Sequence, residues 1–177
     1  MLFALGFMPE RQECAVMADS NSKRVVILGC GRVGSTLARQ LAVDGYAVTV
    51  IDSTADSFRR LGAKFKGAKV VGNGLDQDTM RKAGIENANI YVAVTQGDNT
   101  NIMAVQIARE VFGVKRVVAR LYDPIRAQAY REMGVVTLCT TTLAAGLIRS
   151  SVTEDYECDG LREKLESWDM DYLAQVG

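Results

Sequence analysis

Six short apolar runs alternate with amphipathic segments along the chain, and this rhythm decides the fold class. Each run has the length of a strand and shows no alternation of polar with apolar residues. Such continuous runs are typical of strands that are covered on both faces of a parallel sheet. The runs occupy residues 24–29, 47–52, 68–72, 90–95, 115–121 and 135–139. We therefore expect an α/β protein with six parallel strands.

Helical periodicity fills the gaps between these runs. The first segment places apolar residues on one helical face between Val33 and Ala42, and Gly45 follows as a stop signal. Further helices are expected near 58–61, over 76–83 and 102–112, from Pro124 onwards, and over 143–148. Strands that alternate with helices form right-handed βαβ units. The predicted fold is thus a Rossmann-like, doubly wound, parallel six-stranded sheet with a C-terminal helical extension.

Composition divides the chain into three segments. Residues 1–22 lack periodicity and are expected to form a disordered lead or linker, with Met1 and Met17 both open as the starting residue. Residues 23–152 form the Rossmann-type domain, and residues 153–177 form a helical extension that begins with an acidic stretch. No apolar run approaches the ~20 residues needed to cross a bilayer, so we expect no direct membrane insertion. The extension carries an apolar stripe of Leu161, Leu165, Trp168 and Leu173.

Charge and residue counts exclude several classes of function. The formal net charge is zero, so no broad field attracts nucleic acid, and any anion site must be local. Histidine is absent and no Cys-x-x-Cys pair occurs, which excludes a histidine-containing zinc site or catalytic triad and leaves no predicted metal site. Scattered cysteines fit a reducing cytoplasm and are expected to be small buried hydrophobes. They are Cys14, Cys30, Cys139 and Cys158.

A glycine-rich loop joins the first strand to the first helix. In this context Gly29 permits a tight turn, Gly31 leaves room for a phosphate, and Gly34 lets the helix pack close to the sheet. Amide groups at the start of the helix point at the anion, and the helix dipole assists them. The loop residues assigned to an adenine-nucleotide site are Gly29, Cys30, Gly31, Arg32, Val33 and Gly34.

An acidic residue ends the second strand, where such sheets bind a ribose. Asp52 is expected to accept hydrogen bonds from the ribose diol and to repel a 2′-phosphate, which disfavours NADP. The alternative for Asp52 is a helix N-cap, although Ser53 or Thr54 can take that role; Ser53 is included in the predicted site. Arg32 in the loop is either a phosphate contact or a solvated side chain.

Three further segments are expected near the ligand, because ligands of open parallel sheets bind outside the carboxyl ends of the strands. They contribute Asn73 and Gly74 after strand three, Thr95 and Asp98 after strand four, and Arg120 in strand five. The first pair is expected beside the adenine edge. For Asp98 and Thr100, capping of the following helix is the alternative interpretation.

The ordered motifs resemble the RCK or Trk/Ktr N-terminal domain. They are Val-Ile-Leu-Gly-Cys-Gly-Arg-Val-Gly, Val-Ile-Asp, Val-Val-Gly-Asn-Gly, Ala-Val-Thr-Gln-Gly-Asp-Asn-Thr-Asn and Val-Val-Ala-Arg, and the resemblance covers residues 24 to about 150. Two departures stand out. Gly72-Asn73 replaces the glycine–aspartate pair often found in the family, and about 25 residues remain after the domain, too few for the family's second regulatory lobe.

The resemblance implies a cytoplasmic regulatory subunit that gates a potassium channel or uptake transporter. Such domains bind NAD(H), ATP, ADP or AMP at the glycine loop, and the sequence does not choose among these ligands. By matching position, the loop would hold phosphate, Asp52 the ribose, and Asn73 and Gly74 the adenine, while Thr95, Asp98 and Arg120 would line the cleft or a subunit contact.

The same resemblance implies partners at the inner face of the cell membrane. Family members pair through the helix after strand six, often assemble into rings, and reach the membrane through a pore subunit. Leu143, Leu147 and Ile148 on one face of that helix fit the expectation of a homodimer or higher homo-oligomer, because an exposed apolar face makes a poor monomer.

Two other functions share the fold. An NAD-dependent oxidoreductase needs an acid or base and a substrate pocket, usually from a further domain or a Tyr-x-x-x-Lys pair. No tyrosine here has a lysine four residues on, and little chain remains for a substrate domain, so we expect no enzyme. A sensor that distinguishes NADH from NAD without turnover stays open alongside the gating subunit.

Overall fold

The computed structural model of the protein describes residues 23–153, and its elements alternate as the sequence predicts. The strands are β1 Arg24–Leu28, β2 Ala47–Asp52, β3 Ala68–Val71, β4 Ile90–Ala93, β5 Arg116–Leu121 and β6 Val136–Cys139. The helices are α1 Arg32–Val43, α2 Gln77–Lys82, α3 Asp98–Glu110, α4 Pro124–Glu132 and α5 Thr140–Thr153. Between 23 and 153, none of the helices has the length and apolar character needed to span a membrane.

The six strands form one sheet in the order β3-β2-β1-β4-β5-β6, and every neighbouring pair is parallel. The predicted doubly wound Rossmann-like sheet is therefore confirmed. The strand order reverses between β1 and β4, so the crevice for a ligand opens at the carboxyl ends of these two strands. The glycine loop follows β1 at that point.

Two apolar layers cover the two faces of the sheet. One layer packs Val26, Leu28 and Tyr91 against α2 and α3, and the other packs Ile27, Val50 and Val92 against α1 and the segment after β2. Coverage of both faces explains the continuous apolar runs of the four central strands. The edge strands β3 and β6 are mostly exposed, so the expected coverage of both faces is wrong for these two.

Local capping chemistry sets several helix boundaries. The side chain of Asp76 accepts hydrogen bonds from two amides at the start of α2, and Asp123 does the same for α4, where Pro124 occupies the first turn. The expected short helix after β2 is a 3-10 helix over Ala55–Leu61, whose Phe58 and Leu61 are buried. The predicted position of this short helix is confirmed. The pattern did not specify that it is a 3-10 helix.

Several sequence-based expectations concern residues outside the described range. They are the lead at 1–22, most of the C-terminal extension, Cys14, Cys158, and the apolar stripe Leu161, Leu165, Trp168 and Leu173.

Candidate functional site

Two of the three loop glycines are required by the fold itself. Gly29 has φ of +103°, a conformation that residues with a side chain rarely adopt. Gly34 lies in the first turn of α1, where an added Cβ would overlap the carbonyl oxygen of Gly29. The turn and the close helix–strand contact therefore account for these two positions.

Gly31 differs from the other two, because no contact among residues 23–153 demands a glycine there. Its backbone is extended, with φ of −73° and ψ of −168°, which any residue adopts. A Cβ built at Gly31 would meet no atom within 4 Å. The space that a side chain would fill is open and lies at the start of α1. The absence of a side chain at Gly31 therefore leaves room for a group from outside the chain.

The N-terminus of α1 offers donors to such a group. The first amides of any α-helix lack partners within the helix, and the Gly31 N-cap provides no side-chain cap. The first turn also contains no acidic residue. Arg32 and Val33 are exposed, whereas Gly34 is buried. The 12-residue helix thus presents free N–H groups and the positive end of its dipole to the crevice.

Asp52 is fixed beside the loop by two backbone donors. Its Oδ2 accepts a hydrogen bond from the Cys30 amide at 2.7 Å, and its Oδ1 accepts one from the Thr54 amide at 2.9 Å. Each carboxylate oxygen retains acceptor capacity, since it has two lone pairs. The half-buried carboxylate is therefore held in one orientation and can still accept hydrogen bonds from a diol. Exposed Ser53 follows it.

The structure does not place Asp52 at a helix N-cap, the alternative that the sequence left open. Thr54, not Asp52, stands at the N-cap of the 3-10 helix, and the Thr54 side chain makes no capping bond. The bond from the Thr54 amide to Asp52 orders the turn two residues on. Asp52 therefore links the glycine loop to the turn after β2, while Thr54 occupies the N-cap position.

Cys30 shapes the loop from within the core. Its amide is directed at Asp52, its side chain is fully buried, and its Sγ lies 3.4 Å from the carbonyl oxygen of Ser57, to which it donates. Burial and then the Asp52 charge raise the pKa of the thiol to about 11, so the thiol stays protonated at neutral pH. The expected burial is confirmed for Cys30, whose amide and sulfur are both engaged within the domain. Cys139 was expected to be buried as well, and it is half-buried.

The segment after β3 lies next to Asp52. The amide of Gly72 donates to the Asp52 carbonyl at 3.0 Å. Asn73 is exposed, and its Oδ1 accepts from the Leu75 amide at 3.0 Å, which closes a tight turn. Gly74 is buried, and a Cβ there would overlap the Leu28 side chain. Gly74 thus has a packing role, while Asn73 borders the crevice.

The carboxyl ends of β4 and β5 are joined by a buried amide that the sequence analysis did not single out as a site residue. Asn101 is fully buried; its Oδ1 accepts from the Thr95 amide and hydroxyl, and its Nδ2 donates to the carbonyls of Thr95 and Arg120. Every polar atom of the Asn101 side chain is engaged. Its sequence signal is its place at the end of the motif Ala-Val-Thr-Gln-Gly-Asp-Asn-Thr-Asn, at the start of the helix after strand four.

Asp98 ties the same edge to the next helix. Its carboxylate accepts hydrogen bonds from the amides of Tyr122 and Asp123 at 3.0 to 3.1 Å. Gly97 occupies the N-cap of α3 with no side-chain cap, so the interpretation of Asp98 as a cap of its own helix is wrong. The carboxylate instead anchors the turn between β5 and α4.

Arg120 is half-buried at this edge. Its guanidinium donates to the Thr95 carbonyl at 2.7 Å and lies 4.5 Å from the centroid of the Tyr122 ring. Among residues 23–153 it forms no ion pair. The structure thus brings Thr95, Asp98 and Arg120 together as one network beside the switch point.

Comparison with known proteins matches most of this domain. The family profile described as the TrkA-N domain matches residues 25–141. The Trk system potassium uptake protein TrkA of Streptomyces coelicolor is 54% identical over 121 residues, which cover 68% of this chain and 54% of that protein. A TrkA homolog of Methanothermobacter thermautotrophicus is 32% identical over 136 residues, 76% of this chain and 62% of that protein. The chain thus spans about half the length of the curated relatives it matches.

Solved structures share the fold. A Kef C-terminal domain of Shewanella denitrificans in AMP-bound form has a TM-score of 0.65 at 21% identity and covers 86% of this chain and 92% of that chain. GsuK bound to ADP has a TM-score of 0.63 at 22% identity and covers 75% of this chain and 34% of that chain. At these identities the likeness shows a common architecture.

Proposed function

The chain belongs to the TrkA-N domain family, and from that premise we propose that it is a nucleotide-binding regulatory subunit of a potassium channel or uptake transporter. The single observation that carries the proposal is the open space at Gly31, in front of the uncapped amides of α1. A phosphate fills that space and accepts from those amides. Exposed Arg32 adds a charge-assisted contact.

The fixed carboxylate of Asp52 selects the sugar of the ligand. Its free lone pairs accept hydrogen bonds from both hydroxyls of an unmodified ribose, and its charge repels a 2′-phosphate. We expect NAD(H) or an adenine mononucleotide to bind and NADP to be rejected. Structural neighbours whose descriptions name AMP, ADP and NAD as ligands support this range of ligands.

The network at the carboxyl ends of β4 and β5 can transmit a change at the site to neighbouring subunits. Thr95 and Arg120 border the crevice, and the Asp98 carboxylate binds the backbone just before α4. A ligand shifts such a network only if it binds two arrangements of the subunits with different affinity. We propose that nucleotide exchange changes the orientation of paired domains, and that this change biases a pore.

Partners are expected on the α5 side of the sheet. Leu143 and Ile148 of α5 are 60% and 65% exposed, and Val136 and Leu138 of β6 are 53% and 56% exposed. Exposed apolar area of this kind favours association. We propose a homodimer or ring formed through α5, held at the cytoplasmic face of the membrane by a pore subunit.

An oxidoreductase is the runner-up, and its chemistry finds little support. The chain contains no histidine, and the charged groups beside the crevice, Asp52, Asp98 and Arg120, are already held by backbone contacts. We therefore expect binding without turnover. A sensor of the NADH to NAD ratio agrees with the same geometry, and unequal affinity for the two forms would favour it.

Calorimetry on the purified chain tests the proposal. We expect saturable heat with NAD, NADH, AMP, ADP or ATP, none with NADP, and loss of binding in Gly31→Val and Asp52→Ala. Asp44→Asn is the matched control, because this exposed acid lies at the opposite end of α1. Absence of binding by every adenine nucleotide would refute the proposal, and oxidation of NADH with a candidate substrate would favour the enzyme.

A further inference from the structure

The zero net charge of the chain conceals a separation of charge along the sequence. Residues 23–153 contain 18 Lys or Arg against 10 Asp or Glu, a net charge of +8. Residues 154–177 contain 2 Lys or Arg against 8 Asp or Glu, a net charge of −6. The folded domain is thus strongly basic, and the segment that follows it is strongly acidic.

Five of the 18 positive residues lie between 59 and 69, in the segment that leads into β3, and we define them as the basic strip: Arg59, Arg60, Lys64, Lys66 and Lys69. All five residues are exposed, and no acidic residue occurs between 57 and 75. Arg59 pairs with Asp56 at 2.8 Å, whereas the other four form no ion pair within the described domain. Since β3 is an edge strand, the basic strip is open to an approaching chain.

A groove of about 420 Å³ continues the basic strip at the amino ends of β1 and β2. Lys66 belongs to both, and Arg24 adds a second cation at the groove wall. The groove lies at the amino ends of the strands, whereas the glycine loop lies at their carboxyl ends. The ligand crevice therefore does not include the groove. The accessible apolar lining of the groove comprises Ala42 and Tyr46, which are half-buried, and Ala47 and Ala68, which are exposed, while Val25, Val26 and Val48 form its buried base.

We propose that the acidic segment 154–177 docks on the basic strip and the adjoining groove of its own chain. The eight carboxylates complement the unpaired cations of the strip. The apolar residues of the segment, Leu161, Leu165, Trp168 and Leu173, supply groups for the groove. The surface and the segment thus match in both charge and apolar character. This docking does not depend on nucleotide binding.

Reach and effective concentration favour the same chain over another molecule. An extended segment of 24 residues spans up to about 80 Å, and six strands spaced about 4.8 Å apart make a sheet only about 24 Å across. A tethered segment meets its site at an effective concentration on the order of millimolar. At micromolar protein, a copy that is not already paired with the chain competes poorly with that tether.

Zero-length cross-linking of the full chain tests the contact directly. A carbodiimide joins lysine amines to carboxylates that touch them, and mass spectrometry identifies the joined peptides. We expect Lys64, Lys66 and Lys69 to link to carboxylates of 154–171, and the links to vanish in 0.5 M NaCl, a concentration at which the Debye length is ~4 Å. Exposed Lys115 at the start of β5 is the internal control and should stay unlinked.

The fluorescence of Trp168 gives an independent readout, because the chain contains a single tryptophan. In K64Q/K66Q/K69Q we expect the emission maximum to shift to the red and quenching by acrylamide to increase. The variant K115Q/R116Q/R131Q removes the same charge from exposed positions elsewhere and should leave the emission unchanged. Both variants change only exposed side chains, and their thermal unfolding should match that of the parent.

Three outcomes would overturn the proposal. The first is cross-linking of the segment to Lys115 as often as to the basic strip, or emission that responds equally to both variants. The second is hybrid cross-links between isotopically labelled and unlabelled chains, which would place the segment on a second copy. The third is sedimentation of the chain with phosphatidylserine vesicles, dependent on Lys64, Lys66 and Lys69 and without links to 154–171, which would make the strip a lipid-binding surface.

Discussion

At the residue scale, the glycine loop shows what a motif can and cannot reveal. The spacing indicated a turn at Gly29, a phosphate approach at Gly31 and close packing at Gly34, and the geometry agrees with the two structural roles. The motif could not reveal that the Cys30 amide is directed at Asp52, because that bond joins residues 22 positions apart. It also could not reveal that Gly74 is required by the Leu28 side chain.

Substitution of Gly34 should mainly reduce stability, whereas substitution of Gly31 should mainly reduce nucleotide affinity. We predict that Gly34→Ala lowers the free energy of unfolding by about 3 kcal/mol, because its Cβ overlaps the Gly29 carbonyl. Gly31→Val should cost about 1 kcal/mol in stability and reduce nucleotide affinity at least ~tenfold. Urea unfolding and calorimetry on both variants check this. Equal loss of stability would contradict the separation of roles.

Tyr91 provides a second prediction at this scale. The side chain is fully buried, its hydroxyl has no hydrogen-bond partner among the described residues, and burial raises the pKa of the phenol. A buried unsatisfied hydroxyl costs about 1–3 kcal/mol, so Tyr91→Phe should leave stability unchanged or raise it by about 1 kcal/mol. Thermal unfolding of the variant is the measurement. A clear loss of stability would mean that the hydroxyl has a partner.

At the element scale, the hydrophobic pattern predicted the positions of the strands and helices. It did not predict the polar contacts between these elements. Continuous apolar runs identified all six strands. Both faces of the four central strands are covered, whereas the edge strands β3 and β6 expose Val71, Val136 and Leu138. The clamp of Asn101 joins β4, α3 and β5, and Asp98 joins α3 to α4. Such bonds depend on the tertiary fold, and one polar residue in a helix leaves no periodic signal. The spacing of three residues between Phe58 and Leu61 fits both an α-helix and a 3-10 helix, so the pattern could not specify the helix type of Ala55–Leu61.

We predict that Asn101→Ala lowers the free energy of unfolding by about 3 kcal/mol, because it leaves buried groups of Thr95 and Arg120 without partners. Asn99→Ala is the matched control, on the same helix but exposed, where the effect should stay within about 0.5 kcal/mol. Urea denaturation of the two variants measures both losses of stability. Similar losses at the two positions would show that Asn101 does not hold β4, α3 and β5 together.

At the scale of the whole molecule, the type of sheet and the family could be predicted from the sequence. The oligomeric assembly stays a prediction. The exposed apolar residues of β6 and α5 lie next to each other along the chain. Of the three residues that the sequence placed on one exposed helical face, Leu143 and Ile148 are exposed and Leu147 is half-buried. Burial of that face in a partner would remove this apolar area from water.

Association should therefore depend on α5. We predict that L143S/I148S raises the dissociation constant of the oligomer at least tenfold, a change of about 1.4 kcal/mol. Val43→Ser is the control, because Val43 is 73% exposed at the far end of α1. Light scattering across a range of concentrations gives the answer. A parent chain that is monomeric at micromolar concentration, or a variant that associates like the parent, would exclude this interface.

The central claim is that the free amides at the start of α1 hold the phosphate of an adenine nucleotide. Amide NMR of the ¹⁵N-labelled chain during titration with AMP tests it most directly, because each amide reports separately. We predict that the resonances of Arg32, Val33 and Gly34 shift together along one saturating curve, while those at the far end of α1 stay in place. Saturation without movement of these three amides, or no saturation at all, would contradict the account.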